Sequence, residues 1–214
     1  MSSLASASLR TRSFLGIVVA TSMGALVGCA PGPQADPGDS RSPSASVAAT
    51  VTSTPTSTSV YKPADATGKA QNVPVPVLPE AAKANSKEGL EAFARYWFQV
   101  LSYAYESGDV TAWWARAAPE CAFCASLKEG LDSGYSKGRW LVGGKLSTPS
   151  IDAKYKPEAR TQQVIIQVVQ DQIDYFEANG DVSQPLTPPS NSAAVMIAVF
   201  ESGSWKVSDL GLIR

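Results

Sequence analysis

Cys121 and Cys124 stand at Cys-x-x-Cys spacing in a chain of 214 residues that has one other cysteine and no histidine. That spacing admits two chemistries. At a helix start it lowers a thiol pKa and makes a redox dithiol; in an oxidising compartment it closes as a small structural disulfide. Zinc would need two further ligands, and neither a second cysteine pair nor any histidine supplies them. Thioredoxin-like proteins place the motif straight after a strand, whereas here a helical stretch bearing Trp113 and Trp114 precedes it. The pair reads first as a structural disulfide and second as a redox dithiol, with unpaired thiols as the remaining state. The missing histidines also remove Ser-His-Asp and Cys-His catalysis. Asp171 with Asp174, and Asp152 with Glu158, are the paired carboxylates open to acid–base work, although each is more simply a solvated strand end or loop charge. Gly143-Gly144 lacks the lysine and helix of a phosphate loop and reads as a bend or bulge. Trp97, Trp113, Trp114, Trp140 and Tyr103 can line a cleft, but aromatics at helical spacing usually build core. Adjacent Trp113 and Trp114 cannot both face inward, so they are the candidates for an exposed binding contact. Lys plus Arg is 18 against Asp plus Glu 19, which leaves no basic field to gather nucleic acid. No cofactor or metal is implied.

The third cysteine has a different setting. Arg10 and Arg12 are the only charges before an uncharged, mainly apolar run from Ser13 to Gly28. A cationic start, a short apolar run and small residues before a cut make an export signal. The run is shorter than the ~20 residues of a spanning helix, and Pro31 and Pro33 stop it from continuing. It ends in Leu26-Val27-Gly28-Cys29, which resembles the bacterial lipobox. The resemblance implies cleavage before Cys29 and lipidation of its thiol. Residues 1–28 are then the signal peptide, and the product is held by lipid on the extracytoplasmic face of a membrane. Several acyl chains at about 0.8 kcal/mol per buried methylene make such an anchor stable.

These sites need elements to position them. Residues 29–79 are rich in Ser, Thr, Pro and Ala, with Tyr61 the only aromatic; such a stretch buries too little apolar surface to offset chain entropy. It is expected to be a disordered tether whose ~50 residues span roughly 40 Å as a coil. Residues 80–214 are expected to fold. Asn85 or Ser86 caps a helix whose apolar stripe is Leu90, Phe93, Ala94, Trp97, Leu101 and Ala104. Ser107-Gly108-Asp109 ends that helix and starts a second with Val110, Trp113 and Trp114. Pro119 begins a third through Cys121, Cys124, Leu127 and Leu131, ending near Gly134. Past Gly138 the period changes to that of strands. Trp140-Leu141-Val142 and Gln163–Gln170 are two of them. Asn179-Gly180 marks a hairpin turn before a proline-rich stretch that should pair poorly. Ala193–Phe200, apolar on both faces, reads as a central strand, and Trp205–Ser208 alternates. The expected class is α+β, three N-terminal helices packed on a curved antiparallel sheet.

That element order is similar to the nuclear-transport-factor-2-like cone. More narrowly, Phe93, Tyr96-Trp97, Leu101, Tyr103-Ala104, Gly108-Asp109, Cys121-x-x-Cys124 and Gly143-Gly144 resemble a family of actinobacterial lipoproteins of unknown function, over roughly residues 73–214. The resemblance implies a cone fold and supplies no catalytic residue, and that fold hosts enzymes, binding modules and dimerisation domains alike. The functional expectation is a membrane-anchored, non-catalytic binding or accessory module of the cell envelope. Its partners are the membrane through Cys29 and an envelope protein or small ligand, with no nucleic acid. The alternatives are a small cone-fold enzyme using Asp, Tyr or Trp in its pocket, and dimerisation through the open sheet face.

Overall fold

Ser86 starts the first helix. Its Oγ accepts the Gly89 N–H at 3.0 Å, and α1 (Lys87–Ser107) ends where Gly108 adopts φ 78°. Helix α2 (Thr111–Trp114) is a single turn, and α3 (Ala122–Tyr135) follows Cys121, whose Sγ accepts the Cys124 N–H at 3.2 Å. Seven strands come next: β1 (Trp140–Gly143), β2 (Leu146–Lys154), β3 (Thr161–Gln170), β4 (Ile173–Phe176), β5 (Val182–Thr187), β6 (Ser190–Glu201) and β7 (Ser204–Ile213). The structure, a computed structural model, describes residues 59–213. Cys29, the export segment and the tether up to residue 58 lie outside the described residues. The described residues lie within one compact unit. Among the described residues no helix is long and apolar enough to cross a membrane.

The expectation of an α+β domain with three helices on one curved sheet is corrected. Strands dominate everything after residue 139, and they form two antiparallel sheets, β2-β3-β6-β7 and β1-β4-β5. The cause is a set of three chain breaks at one level. Gly143 and Gly144 take φ 86° and 71° between β1 and β2. Opposite them, Asp171 and Gln172 leave the ladder between β3 and β4. There the Gly144 N–H donates to Gln172 O at 2.8 Å and the Asp171 N–H to Lys145 O at 2.9 Å. Pro188 and Pro189, which have no N–H to give, part β5 from β6. The breaks are in register: Leu146 pairs with Gln170 and Gln170 with Ser190 on one side, Gly143 with Ile173 and Ile173 with Thr187 on the other. Strands β2, β3 and β6 therefore stop together, and the chain enters the smaller sheet through β1, β4 and β5.

Two more sequence expectations change. The proline-rich stretch after Asn179-Gly180 does pair, as β5; it is an edge strand bonded only to β4, so Pro185 is tolerated there. Residues 59–79, expected to belong to the tether, lie partly on the domain. Trp140 Nε1–H donates to Asp65 O at 2.9 Å, and the Tyr61 hydroxyl donates to Glu106.

The core explains why α1 is the organising helix. Leu90, Phe93, Trp97 and Val100 are fully enclosed with Trp113, Ile166, Met196 and Trp205. Side chains of the size of Leu90 or Phe93 contribute roughly 1.5–3 kcal/mol each by burial. The same helix closes the outer edge of β2: Arg95 Nη1 donates to Thr148 O, while Ser102 Oγ and Glu91 Oε1 accept the N–H groups of Leu146 and Ala153. An open strand edge is an aggregation template, and α1 removes this one. At the other end of the sheet, Ala118 N–H donates to Val207 O at 2.7 Å and Val207 N–H to Arg116 O at 2.8 Å, so the segment before α3 covers part of β7.

Candidate functional site

The two sheets part at the break line, and α3 bridges the opening without filling it. The result is a cleft of about 420 Å³ between α3 and the smaller sheet. Its polar wall comes from strand ends and the smaller sheet: Gln170 ends β3, Tyr175 lies on β4, and Ser183, Gln184 and Thr187 lie on β5. Tyr105 of α1 and Arg139, just beyond α3, complete it, while Leu127, Leu131, Leu141 and Ile173 form the apolar wall. No Asp or Glu is among the lining residues.

Each polar group is held by a neighbour. The Tyr175 hydroxyl and Thr187 Oγ1 are 2.7 Å apart. Burial pushes the Tyr105 phenol up, against the opposing effect of the Gln170 hydrogen bond, and keeps it a neutral donor. The Arg139 guanidinium is bound to neutral oxygens: Nη2 to Ser133 O at 2.5 Å and Ser136 Oγ at 2.7 Å, and Nε to Ser136 O at 3.4 Å. These tie it to the C-terminal end of α3, where the helix dipole favours a cation. Among the described residues no carboxylate lies within salt-bridge distance of Arg139. The position of the helix end is fixed by Tyr135, whose half-buried hydroxyl lies 2.6 Å from Tyr105 O and 2.9 Å from Glu106 O and donates between them.

An apolar annex of about 140 Å³ adjoins the cleft and shares Tyr105, Leu127 and Gln170 with it. Trp97, Phe98, Phe123, Val168 and Leu210 line the annex. A separate recess of about 260 Å³ lies beneath residues 61–64, walled by Ser102, Glu106, Gly143 and Lys145. There Tyr61 is pushed up to about 12, chiefly because it donates to Glu106 and keeps its proton.

Of the candidates read from sequence, Trp97 lines the annex and the others fall elsewhere. Cys121 and Cys124 form a disulfide, S–S 2.04 Å, with both residues buried. Trp113 is buried beside Trp97, their rings 5.4 Å apart, and neither indole N–H has an acceptor among the described residues. Trp114 is 37% exposed, with Lys128 Nζ 5.9 Å from its ring centre. Neither Trp113 nor Trp114 lines the cleft or its annex. Trp140 stacks on Phe176, and the Tyr103 hydroxyl donates to Asp109 Oδ2 at 3.2 Å. Among the carboxylate pairs, Asp174 accepts from Gln172 and Asp152 pairs with Lys154, so neither becomes an acid–base couple. Hydrogen bonds from Lys154 hold Asp152 below the usual carboxylate range. Arg139, Tyr105, Gln170, Tyr175, Gln184 and Thr187 were not singled out by sequence. The available signal was the punctuation around them, Gly143-Gly144 and Pro188-Pro189.

Two solved structures are similar over most of the described domain. The intermembrane space region of the chloroplast protein ARC6 matches at 6% identity and a TM-score of 0.46, covering 60% of this chain and 97% of that one. An uncharacterized protein with a cystatin-like fold from Caulobacter vibrioides matches at 12% identity and a TM-score of 0.37, covering 57% and 89%. No curated protein matches the chain. A family model does match, and from residue 59 to 211 this chain belongs to the family of unknown function DUF6318.

Proposed function

We propose that this protein is a lipid-anchored, extracytoplasmic binding module, tethered through Cys29, with the cleft between α3 and the smaller sheet as its ligand site. The observation that carries the reading is the lining of that cleft. It has hydroxyl, amide and guanidinium groups together with leucine and isoleucine side chains, and a volume of about 420 Å³, within the range of small-ligand sites. Its chemistry is that of orientation and capture. The lining has no carboxylate or imidazole, so acid–base work there would fall to a tyrosine, and burial keeps the Tyr105 phenol protonated. The signal-like run and Leu26-Val27-Gly28-Cys29 support the lipid anchor and the actinobacterial lipoprotein resemblance.

Each half has its own test. Cells labelled with a palmitate analogue should mark the wild-type chain and not Cys29→Ala, which should accumulate as uncleaved precursor. A cleaved, unlipidated Cys29→Ala product retained normally in the membrane would refute the anchor. For the cleft, amide resonances of Tyr105, Gln170 and Tyr175 in residues 54–214 should move when mixtures of small molecules are added. Gly130→Phe should abolish those shifts, because a side chain at Gly130 meets open space and enters the cleft. Shifts that survive Gly130→Phe would place the binding somewhere else.

A further inference from the structure

Resting on the cleft as a binding site, we infer that its ligand is a small anion-headed amphiphile, a carboxylate carrying a medium-length alkyl chain. Three observations point to it. Arg139 is fixed at the cleft wall by neutral oxygens only, so its charge lacks a counter-charge among the described residues. Its Nη1 makes no hydrogen bond to a described residue, and a half-buried guanidinium with a free edge is a carboxylate receptor. Second, the cleft has no acidic lining residue to repel an anion, while the protonated phenol of Tyr105 and the Gln170 amide stand further along it as neutral groups.

Third, the cavity is amphipathic along its length. It shares Tyr105, Leu127 and Gln170 with the annex, which is lined mainly by tryptophan, phenylalanine and leucine side chains, with Ser190 and Ser192 also on its wall. The annex is about 140 Å³, room for a short alkyl segment. The spacing sets the length of the ligand. Gly134, beside the anchoring site, and Leu127, at the annex, lie seven residues apart on α3, which is roughly 10 Å at the helical rise. An extended eight-carbon acid is of comparable length. A bare anion would leave the annex unfilled, and a neutral chain would leave Arg139 unpaired.

The test compares octanoate, octanol and acetate on residues 54–214 by calorimetry and by amide shifts. Octanoate should bind at least about tenfold tighter than octanol, the factor expected of one charge-assisted hydrogen bond, and tighter than acetate by a similar factor or more. Arg139→Gln should remove the advantage of octanoate over octanol, Arg139→Lys should keep part of it, and Leu127→Trp should weaken both long-chain probes. Octanol binding the wild-type cleft as well as octanoate would overturn the anionic head while leaving the binding site standing. Acetate binding as tightly as octanoate would overturn the tail. Failure of all three probes to move Tyr105 or Gln170 would overturn this inference, while the cleft itself stands or falls on the small-molecule mixtures and Gly130→Phe. The wild-type comparison decides the matter even if an Arg139 variant fails to fold.

Discussion

The disulfide gives the sharpest prediction because its surroundings separate a structural bond from a working dithiol. Both cysteines are buried, at 1% and 0% exposure, and they are three residues apart. In the chain-entropy model a loop this small stabilises by about 2 kcal/mol at 25 °C. Cys121 has a second task, since its Sγ accepts the Cys124 N–H at the start of α3. Removing both sulfurs as alanine therefore loses the bond and the cap together. Cys121→Ser with Cys124→Ala isolates the bond, because a serine hydroxyl can take over the cap. For a domain of this size about 2 kcal/mol corresponds to a fall in Tm of roughly 4–8 °C. Circular dichroism melts of residues 54–214 should show that fall for the Ser/Ala pair and a larger one for the double alanine. Dithiothreitol should leave the native bond intact at temperatures well below the melt, because reductant reaches neither sulfur until the protein opens. A bond that opens rapidly in native protein, with no change in Tm, would refute the structural role and restore the dithiol.

Three further outcomes follow from the same geometry. Gly143→Ala should destabilise by more than about 3 kcal/mol in urea melts, adding contact with Gln172 O at 2.1 Å to an unfavourable φ of +86°. Gly203→Ala, at φ +74° with nothing within 4 Å, should cost only the conformational part, about 1–2 kcal/mol; equal losses at the two sites would refute the close approach. Gly130→Ala should stabilise by about 0.8–1 kcal/mol, as expected for an exposed helical glycine with open space around the new Cβ. An unchanged urea midpoint would count against an ordered α3 there. Asp109 accepts the Thr111 N–H at 2.9 Å, and hydrogen bonds from Thr111 hold its carboxyl below the usual range. Its contribution is thus present above the unfolded pKa of about 3.9 and is lost as pH falls through the lower folded value. Asp109→Asn should flatten that acid-side loss, and a carbon-detected titration of Asp109 at or above the ordinary value would refute it.

The helices were legible because their signals are local. Ser86 caps α1, the stripe Leu90 to Ala104 is buried, and Gly108 ends the helix with a positive φ. Ala193–Phe200 was legible as a central strand because β6 is covered on both sides by β3 and β7. Legibility failed where pairing is long-range. β4 and β5 are short and partly polar, and Pro185 makes β5 resemble a loop until β4 is beside it. Residues 59–79 have the composition of a tether, yet Tyr61 and Asp65 find partners on α1 and β1 that no local pattern announces.

The cleft was hidden for a related reason. Its position depends on three breaks meeting at one level, and that coincidence exists only once the registers of β2, β3 and β6 are known. Gly143-Gly144 reads as a bend, and Pro188-Pro189 lies within a stretch read only as proline-rich and poorly pairing; taken singly, neither has a consequence. Brought into register they split one sheet into two, and residues at the severed ends lose ladder neighbours on one side. Gln170, Ile173 and Thr187 are such ends, and all three line the cleft. Polar side chains gather there because strand ends leave backbone and solvent near each other, whereas Leu127 and Leu131 of α3 reach the cleft from the core they pack with. The amphipathic character of the cavity is thus a consequence of the fold line itself, and Arg139 is the residue this geometry does not require. Ser133 and Ser136 carbonyls at the end of α3 could be met by water. A guanidinium held there, half-buried at the wall of a cleft without carboxylates, is what the proposed anionic ligand accounts for and the fold alone does not.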